Sequence, residues 1–307
     1  MKNWDGSEMP ALQGKIAVIT GANQGIGFFT AQRLAQQGAR VILACRSEER
    51  ARKAMQLIRE SLVAQPLAGE VEVMVVDVGE LACVERLAAA LHEKLDRIDI
   101  LTTNAGVGVP SQTQCQDGYL IQFGVNYLDH FYLVALVMDL LKASSEACVI
   151  SMSSVAHRQE FSRMLSLFLA VDLDFEKLPY GTGDFGFARY EKSKLCNLIF
   201  AIELDRRLKA AGIKNVKSIA AHPGVCYTNI FDETNKGMYP SCMHGLMRLY
   251  YRTFFQSGEM GGAPYHMPLL GNTTAQMDLA VATGTQRLSS HTQQLYVGLR
   301  PRSLGTK

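Results

Sequence analysis

The residues Thr20-Gly21-Ala22-Asn23-Gln24-Gly25-Ile26-Gly27 carry the strongest structural signal in this 307-residue chain. They follow a β-branched run at 15–20 that is typical of a strand, and they precede a segment, 28–37, whose apolar positions repeat at helical spacing. Glycines allow a backbone to approach a pyrophosphate, and a helix N-terminus offers free N–H groups and a partial positive charge. A GxxxGxG spacing at the end of a first strand therefore predicts a dinucleotide-binding turn, with glycines that only ease helix–sheet packing as the alternative.

The same alternation of strand and helix continues along the chain. Strands are predicted at 41–44, 71–76, 98–103, 148–152 and 216–221, and helices at 48–63, 81–95, 118–141 and 189–211. Near-continuous apolar strands separated by helices are typical of a parallel sheet with helices on both faces. We therefore expect an α/β fold with a doubly wound parallel sheet (Rossmann-type), as one domain over 1–307 with an N-terminal extension at 1–13.

Two long segments interrupt this alternation, at 157–188 and at 228–262. The first has an apolar centre at 164–171, and the second contains Asn, Gly and Pro followed by aromatic residues. Segments this long in a compact domain usually either close over a site or are mobile. We expect two lid-like insertions, the second of them a substrate lid; surface insertions without a function are the alternative.

Composition excludes several classes of protein. Hydrophobic residues make up 48% of the chain and charged residues 20%, which are globular values. The net charge of +2 gives no electrostatic case for a nucleic-acid partner. The seven cysteines show no CxxC pair and no Cys/His cluster, so we expect neither a disulfide scaffold nor a metal site. Free cysteines fit a reducing, cytoplasmic location.

The N-terminal residues lack the apolar core of a signal peptide. The most apolar stretches, 131–141 and 164–171, are much shorter than the roughly 20 residues that cross a bilayer. We therefore expect no transmembrane segment, and a peripheral membrane contact remains open.

Arg46 follows the second predicted strand, in Cys45-Arg46-Ser47. At this position a dinucleotide fold that prefers NAD usually has an acidic residue for the ribose hydroxyls, whereas an arginine accommodates a 2′-phosphate. Arg46 therefore favours NADP(H), and a solvated basic helix N-terminus is the alternative. Gln24 has no charge, so only one side of the phosphate pocket is clearly basic.

Tyr190 and Lys194 are four residues apart in a helical stretch, so both project from one face. An ammonium about 5 Å from a phenol stabilises the phenolate by roughly 3 kcal/mol at an effective dielectric near 20. That would lower a phenol pKa from near 10 by about two, so the tyrosine could exchange a proton with a carbonyl oxygen near neutral pH. Upstream, Ser151, Ser153 and Ser154 place hydroxyls at the carboxyl end of a strand, where ligands bind in such folds.

Taken together, these motifs resemble the short-chain dehydrogenase/reductase family, and within it the retinol-dehydrogenase-like and WW-domain-oxidoreductase-like group. The resemblance runs from about Gly14 to Gly224 and continues more faintly to Tyr296-Val297. The family's TGxxxGxG loop matches Thr20 to Gly27. Its other motifs match Asp77 with Val78, Asn104-Ala105-Gly106, Asn126, Ser154 with Ser153 as the fallback, Tyr190 with Lys194, and Pro223-Gly224-Val225-Cys226-Tyr227-Thr228.

The resemblance implies an NADP(H)-dependent oxidoreductase that interconverts an alcohol and a carbonyl. Tyr190 would transfer the proton and Ser154 would hydrogen-bond the carbonyl oxygen. Lys194 would lower the tyrosine pKa and hold the nicotinamide ribose, while Asn126 would anchor a water for proton relay. The implied cofactor-binding residues are Gly21, Asn23, Gln24, Gly25, Ile26, Gly27, Arg46, Asp77, Val78, Asn104, Ala105, Gly106, Tyr190, Lys194, Pro223, Gly224, Val225 and Thr228.

The two lids are rich in apolar and aromatic side chains, which favours a small lipophilic substrate such as a retinoid, steroid, quinone or aryl carbonyl. Ordinary core packing explains the same side chains equally well. The family often dimerises through the helices that hold Asn126 and Tyr190, although the apolar run at 131–137 could equally be buried in a monomer. The lid residues considered are Met164, Leu165, Phe168, Phe185, Phe187, Tyr227, Phe231 and Tyr239.

The chain departs from the group in two places. The segment between Ser154 and Tyr190 is longer, which concerns the substrate entrance, and Asp129 precedes His130 where the group commonly has glycine. We expect the second change to affect helix packing and no catalytic atom. Two rival functions stay open: an NADP-binding regulatory or interaction module without turnover, and, ranked lower, a reductase of a conjugated double bond.

Overall fold

Six parallel strands form the sheet in the described part of the chain, in the order β3-β2-β1-β4-β5-β6. The structure is a computed structural model and describes residues 9–158, 177–181, 186–223, 226, 230 and 244–245. Because β1 pairs with both β2 and β4, the winding direction reverses between β1 and β4 and leaves a crevice at their carboxyl ends. The strands are β1 (Ile16–Thr20), β2 (Arg40–Cys45), β3 (Val71–Val75), β4 (Ile100–Thr103), β5 (Ala147–Met152) and β6 (Val216–Ala221).

Helices connect these strands, as parallel pairing requires. Two helices begin earlier than the hydrophobic pattern predicts: α1 starts at Gly25, inside the glycine motif, and α7 starts at Gly186. The helices are α1 (Gly25–Gln36), α2 (Glu48–Leu62), α3 (Leu81–Lys94), α4 (Ile121–Phe123), α5 (Asp129–Leu136), α6 (Met138–Ala143) and α7 (Gly186–Ala210), with a π-helical turn at Gly124–Leu128 and a 3₁₀ turn at Val155–Arg158.

Each face of the sheet has its own apolar core. Successive residues of a strand point to opposite faces, so Ile19 packs with residues of α1 and α2 while Val18 packs with residues of α3, α5 and α7. Both side chains are fully buried. This burial on both faces is why the strands read as continuous apolar runs, and it confirms the predicted doubly wound α/β fold.

The prediction of one unbroken helix over 118–141 was wrong. Three short helices and a π-helical turn occupy that span, and the N–H of Asp129 bonds to the carbonyl of Gly124, five residues earlier. A Cβ on Gly124 would lie 2.8 Å from the sulfur of Cys115, so the backbone of the turn packs directly on that side chain. Asn126 lies inside this turn.

The predicted lids fall mostly outside the described residues. Of the insertion at 157–188, the structure describes 157–158, 177–181 and 186–188, and of the segment at 228–262 only 230 and 244–245. The first eight residues of the predicted N-terminal extension also lie outside. Within the described ranges, no helix combines the length and the apolar character needed to cross a bilayer.

Candidate active site

The glycine motif joins β1 to α1 at the crevice. Gly21 has a φ of +66° and its missing Cβ would lie 2.8 Å from the Cα of Ala105, so this turn requires glycine for both its conformation and its close packing. Gly25, with a φ of +58°, starts α1. Asn23 and Gln24 lie in the same turn, and Ile26 follows Gly25 in the first turn of α1.

The N-terminus of α1 differs from those of the next two helices. Ser47 caps α2 by accepting from the N–H of Arg50 at 3.3 Å, and Asp117 accepts from the N–H of Leu81 at the start of α3 at 2.9 Å. Among the described residues, the N-cap residue of α1, Gln24, makes no side-chain hydrogen bond to the first turn, and that turn contains no acidic residue. A helix N-terminus without such a cap fits an anionic group such as a pyrophosphate.

The Asn104-Ala105-Gly106 turn is tied to the glycine motif by several hydrogen bonds. The hydroxyl of Thr20 accepts from the N–H groups of Asn104 (2.9 Å) and Ala105 (3.0 Å). The side-chain amide of Asn104 donates to the carbonyls of Thr20 (2.9 Å) and Gly21 (3.3 Å). The amide NH₂ of Asn104 is therefore engaged by backbone carbonyls of the glycine motif, and this side chain stabilises the conformation of that turn.

A cavity of about 490 Å³ lies at the end of β3, where the sequence predicts the adenosine site. Arg46 and Asp77 both line it, and Val78 packs against the adjoining core. Arg86 of α3 lines the same cavity and was missed by the sequence analysis, although it is the first basic residue of the helix that follows Asp77. The full lining is Arg46, Met74, Val75, Val76, Asp77, Cys83, Arg86, Leu87 and Ala90.

Tyr190 and Lys194 lie one turn apart on α7, on the same face, as predicted. The Nζ of Lys194 is 5.7 Å from the centroid of the Tyr190 ring and donates to the carbonyl of Met152 at 3.1 Å, at the end of β5. The side-chain amide of Asn197 donates to the same carbonyl at 2.9 Å. The last residue of β5 thus fixes the position of the lysine side chain.

The two candidate serines have different environments. The hydroxyl of Ser153 is buried and donates to the carbonyl of Lys194 at 2.8 Å, and its N–H bonds to Ala221 of β6 at 2.9 Å. The side chain of Ser154 lies beside that of Tyr190, where it lowers the pKa of the phenol, and its hydroxyl accepts from the N–H of Ala156 at 3.2 Å. The geometry therefore pairs Ser154 with the tyrosine and uses Ser153 to join α7 to the sheet.

Asn126 connects the π-helical turn to α7. Its side-chain amide exchanges two hydrogen bonds with the backbone of Val107, at 2.7 and 3.0 Å, and donates to the hydroxyl of Ser193 at 2.8 Å. Ser193 in turn donates to the carbonyl of Tyr190 at 2.7 Å. A Cβ on Gly106 would lie 3.1 Å from Oδ1 of Asn126, so the glycine leaves the room that this arrangement needs.

The predicted lowering of the tyrosine pKa does not occur in this structure. Burial raises the pKa of Tyr190 above its usual value, and the interaction with the side chain of Ser154 only partly opposes that change. Burial also lowers the pKa of Lys194 to about 8. The spacing predicted a shared helix face correctly, but the ammonium lies over the ring and itself loses hydration on burial.

Part of the predicted nicotinamide site lies outside the described residues. Pro223 is partly buried at the end of β6, whereas Gly224, Val225 and Thr228 belong to the undescribed part of the chain. The thiol of Cys226 donates to the carbonyl of Pro223 at 2.9 Å, and burial raises the pKa of this thiol to about 11. No group of three His, Cys, Asp or Glu residues in the described ranges could hold a metal ion.

Several known proteins are similar in sequence. The family model for short chain dehydrogenase matches residues 15–166. Human retinol dehydrogenase 13 is 38% identical over 71% of this chain and 61% of its own length, and the mouse protein of that name is 36% identical over 82% and 70%. Human WW domain-containing oxidoreductase is 40% identical over 75% of this chain and 55% of its own length. The matched region thus spans roughly half to two thirds of these relatives.

Solved structures share the fold. A protein of uncharacterised function from Mycobacterium paratuberculosis has a TM-score of 0.60 at 27% identity, covering 87% of this chain and 97% of its own. A gluconate 5-dehydrogenase from Beutenbergia cavernae with bound NADP (TM-score 0.61, 20% identity) and a Burkholderia phymatum dehydrogenase with NAD (0.60, 22%) each cover 84% of this chain, and 90% and 85% of their own. With its sheet order, its glycine motif and the Tyr190–Lys194 pair, the chain belongs to the short-chain dehydrogenase family of oxidoreductases.

Proposed function

We propose that the protein is an NADP(H)-dependent oxidoreductase that interconverts an alcohol and a carbonyl on a small lipophilic substrate. The observation that carries this proposal is that Tyr190 has Lys194 one helical turn away, with the Nζ 5.7 Å from its ring centroid, and Ser154 beside its phenol, whose pKa that serine lowers. A phenol and a second hydroxyl that can reach the same oxygen are the groups that a carbonyl needs for proton transfer and charge stabilisation.

The described residues fit a nicotinamide dinucleotide. The uncapped start of α1 offers its N–H groups to the pyrophosphate, and Arg46 and Arg86 offer guanidinium groups to a 2′-phosphate. Asp77 and Val78 would meet the adenine, and Lys194 would hold the nicotinamide ribose. The cofactor supplies or accepts the hydride. By the family resemblance, Pro223, Gly224, Val225 and Thr228 would contact its carboxamide.

Tyr190 is the proton donor of the proposed reaction. At neutral pH the buried phenol keeps its proton, which it can give to a carbonyl oxygen as the carbonyl is reduced. Ser154 donates a hydrogen bond to the same oxygen and stabilises its growing negative charge.

The lowered pKa of Lys194 lies only slightly above neutral pH. With a pKa of about 8, Lys194 is still mostly protonated at pH 7 and can donate to a bound ribose hydroxyl. Asn126 and Met152 hold the helix turn and the ammonium in place. For proton relay, Asn126 would anchor a water that connects Lys194 to solvent.

An apolar substrate is supported by the surroundings of the tyrosine and by the relatives. The ring of Phe187 lies 6.0 Å from that of Tyr190, so one described side of the site is aromatic. Several relatives are named retinol dehydrogenases, and retinol is a lipophilic alcohol. Phe187 is the one predicted lid residue within the described ranges, and the remaining lid residues lie outside them.

Oxidation of NADPH and of NADH over a panel of retinal, steroid, quinone and aryl carbonyls tests the proposal. We expect turnover with NADPH, a preference for NADPH over NADH, and loss of turnover in Tyr190→Phe, which retains the ring but has no proton to give. Retained turnover in that variant would contradict the assignment of the acid. Nucleotide binding without turnover over the whole panel would favour the regulatory module, and a saturated carbonyl product would favour the double-bond reductase.

A further inference from the structure

His130 is a fully buried histidine between the nucleotide turn and the catalytic asparagine. Its Nε2 lies 2.9 Å from the hydroxyl of Thr20, and its Nδ1 lies 3.3 Å from the carbonyl oxygen of Asn126. Only 2% of its surface is exposed. The ring therefore bridges β1, which leads into the glycine motif, and the π-helical turn.

The hydrogen bonds determine which nitrogen carries the proton. The carbonyl of Asn126 can only accept, so Nδ1 of His130 must be the N–H donor. The hydroxyl of Thr20 already accepts from two backbone N–H groups, which leaves it a proton to donate. Nε2 at 2.9 Å is a better acceptor for that proton than the carbonyl of Thr102 at 3.5 Å.

The electrostatic surroundings agree with a neutral ring. Burial, with a smaller contribution from the nearby charge of Lys194, lowers the pKa of His130 to about 4, although the hydrogen bond to the Asn126 backbone opposes this change. A protonated ring would give Thr20 a third donor for its two lone pairs, so the network as a whole is satisfied only when the histidine is neutral.

Through Thr20, the ring also reaches the Asn104-Ala105-Gly106 turn. The Thr20 hydroxyl thus accepts from the N–H groups of Asn104 and Ala105 and pairs with Nε2 of His130. The far end of the ring holds Asn126, whose amide is bonded to Ser193 of the Tyr190 helix. Hydrogen bonds on both sides of His130, joined through the residue Asn126 itself, therefore link the nucleotide turn to the helix that holds Tyr190.

We propose that His130 is a positioning residue that couples occupation of the nucleotide turn to the alignment of Asn126. It touches neither cofactor nor substrate; it acts through Thr20 on one side and through the Asn126 carbonyl on the other. The inference rests on the proposed function for its kinetic consequence, whereas the coupling itself is measurable without turnover, by hydrogen exchange in the presence of NADP⁺.

Three substitutions separate the two halves of the bridge. His130→Leu removes both hydrogen bonds. His130→Asn keeps a donor near the position of Nδ1, and His130→Gln extends a polar group toward the position of Nε2. We expect the leucine variant to bind NADPH with an affinity near that of the wild type but to turn over about tenfold more slowly, with a larger solvent deuterium isotope effect. A residue that served only packing would leave that isotope effect unchanged.

Partial rescue is the second kinetic expectation. Because the asparagine variant still holds the Asn126 carbonyl, its turnover should recover further than that of the glutamine variant, which holds only Thr20. Equal turnover in the wild type and all three variants would overturn the proposal.

Hydrogen exchange provides a readout that does not require activity. In the wild type, NADP⁺ should slow amide exchange at 20–27, at 104–107 and also at 124–128. In the leucine variant, only the first two segments should respond. Should that variant not fold, the glutamine variant takes its place, since it too lacks the bond to Asn126. If NADP⁺ slowed exchange at 124–128 in the variant as much as it does in the wild type, the coupling would be overturned, even if no carbonyl on the panel is reduced.

Discussion

Asp129 and His130 are neighbours in the chain, both are buried, and their pKa values are displaced in opposite directions, each shift favouring the neutral form of the side chain. Burial raises the pKa of Asp129 to about 7 and lowers that of His130 to about 4, so both side chains are neutral over much of the interval between these values. Neither carboxylate oxygen of Asp129 has a partner at hydrogen-bond geometry among the described residues, and the nearby N–H of Gly79 only partly offsets the burial.

We predict that Asp129→Asn stabilises the protein above neutral pH. The unfolded carboxyl ionises near pH 4, whereas the folded one ionises near 7, so folding takes up a proton between these values and stability falls as the pH rises. The variant should gain up to about 4 kcal/mol at pH 8 and nothing at pH 4. Urea unfolding at several pH values measures this. An equal gain at pH 4 would contradict the explanation, and Asp96→Asn, at an exposed carboxylate, is the control that should show no pH-dependent gain.

For His130 the sign is reversed. Its folded pKa lies below the unfolded value near 6.5, so its contribution is fully present above pH 6.5 and is lost as the pH falls toward 4, by about 3 kcal/mol. We predict that His130→Asn loses less stability than the wild type on acidification from pH 7 to 4. Parallel unfolding curves for the two proteins over that interval would show that the histidine is not the group responsible.

The two adjacent serines should give opposite results. Ser154→Ala removes the hydroxyl beside Tyr190, so we expect turnover to fall by about a hundredfold while thermal stability is retained. Ser153→Ala removes the donor to the carbonyl of Lys194, so we expect a loss of about 1 kcal/mol in stability and a much smaller effect on turnover. Steady-state kinetics with calorimetry on both variants decides between them. Interchanged results would make Ser153 the catalytic hydroxyl.

Arg46 and Arg86 should both distinguish a 2′-phosphate. We expect Arg46→Ala and Arg86→Ala each to weaken binding of 2′,5′-ADP by about tenfold, because each removes a charge-assisted contact, and to leave 5′-AMP binding nearly unchanged. Titration calorimetry with both nucleotides measures the ratio. Arg52→Ala, at an exposed residue paired with Glu48, is the matched control. If Arg86→Ala had the same ratio of 2′,5′-ADP affinity to 5′-AMP affinity as the wild type, the phosphate site would be limited to Arg46.

Local patterns predict most of this fold. The strands are buried on both faces, so their apolar runs are unmistakable, and the predicted strand at 216–221 agrees with β6 at both ends. The position of the glycine motif at the end of β1 then places the nucleotide turn. These features depend on residues close together in the chain, which is why a single sequence is sufficient for them.

Contacts between distant residues explain what the sequence did not reveal. Whether Ser153 or Ser154 faces Tyr190 depends on which of the two hydroxyls donates to the carbonyl of Lys194. Lys194 is about forty residues further along the chain, so this contact depends on tertiary packing and no local motif reports it. Arg86 reaches the cavity of Arg46 only because α3 returns beside β3. Spacing places Lys194 on the face of Tyr190, but burial, which spacing does not report, decides the direction of both pKa changes.

The π-helical turn at Gly124–Leu128 determines which side of the helical segment the residues before it face, relative to the residues after it. It takes up one residue more than an α-helical turn would, and each residue of an α-helix turns the chain by about 100°. Deleting one residue from the turn would therefore rotate Asn126 by roughly that angle relative to Leu133 and Val134, which are buried against the sheet. A chain shortened in this way could keep either its residues buried against the sheet or the proposed catalytic amide of Asn126 in place, but not both.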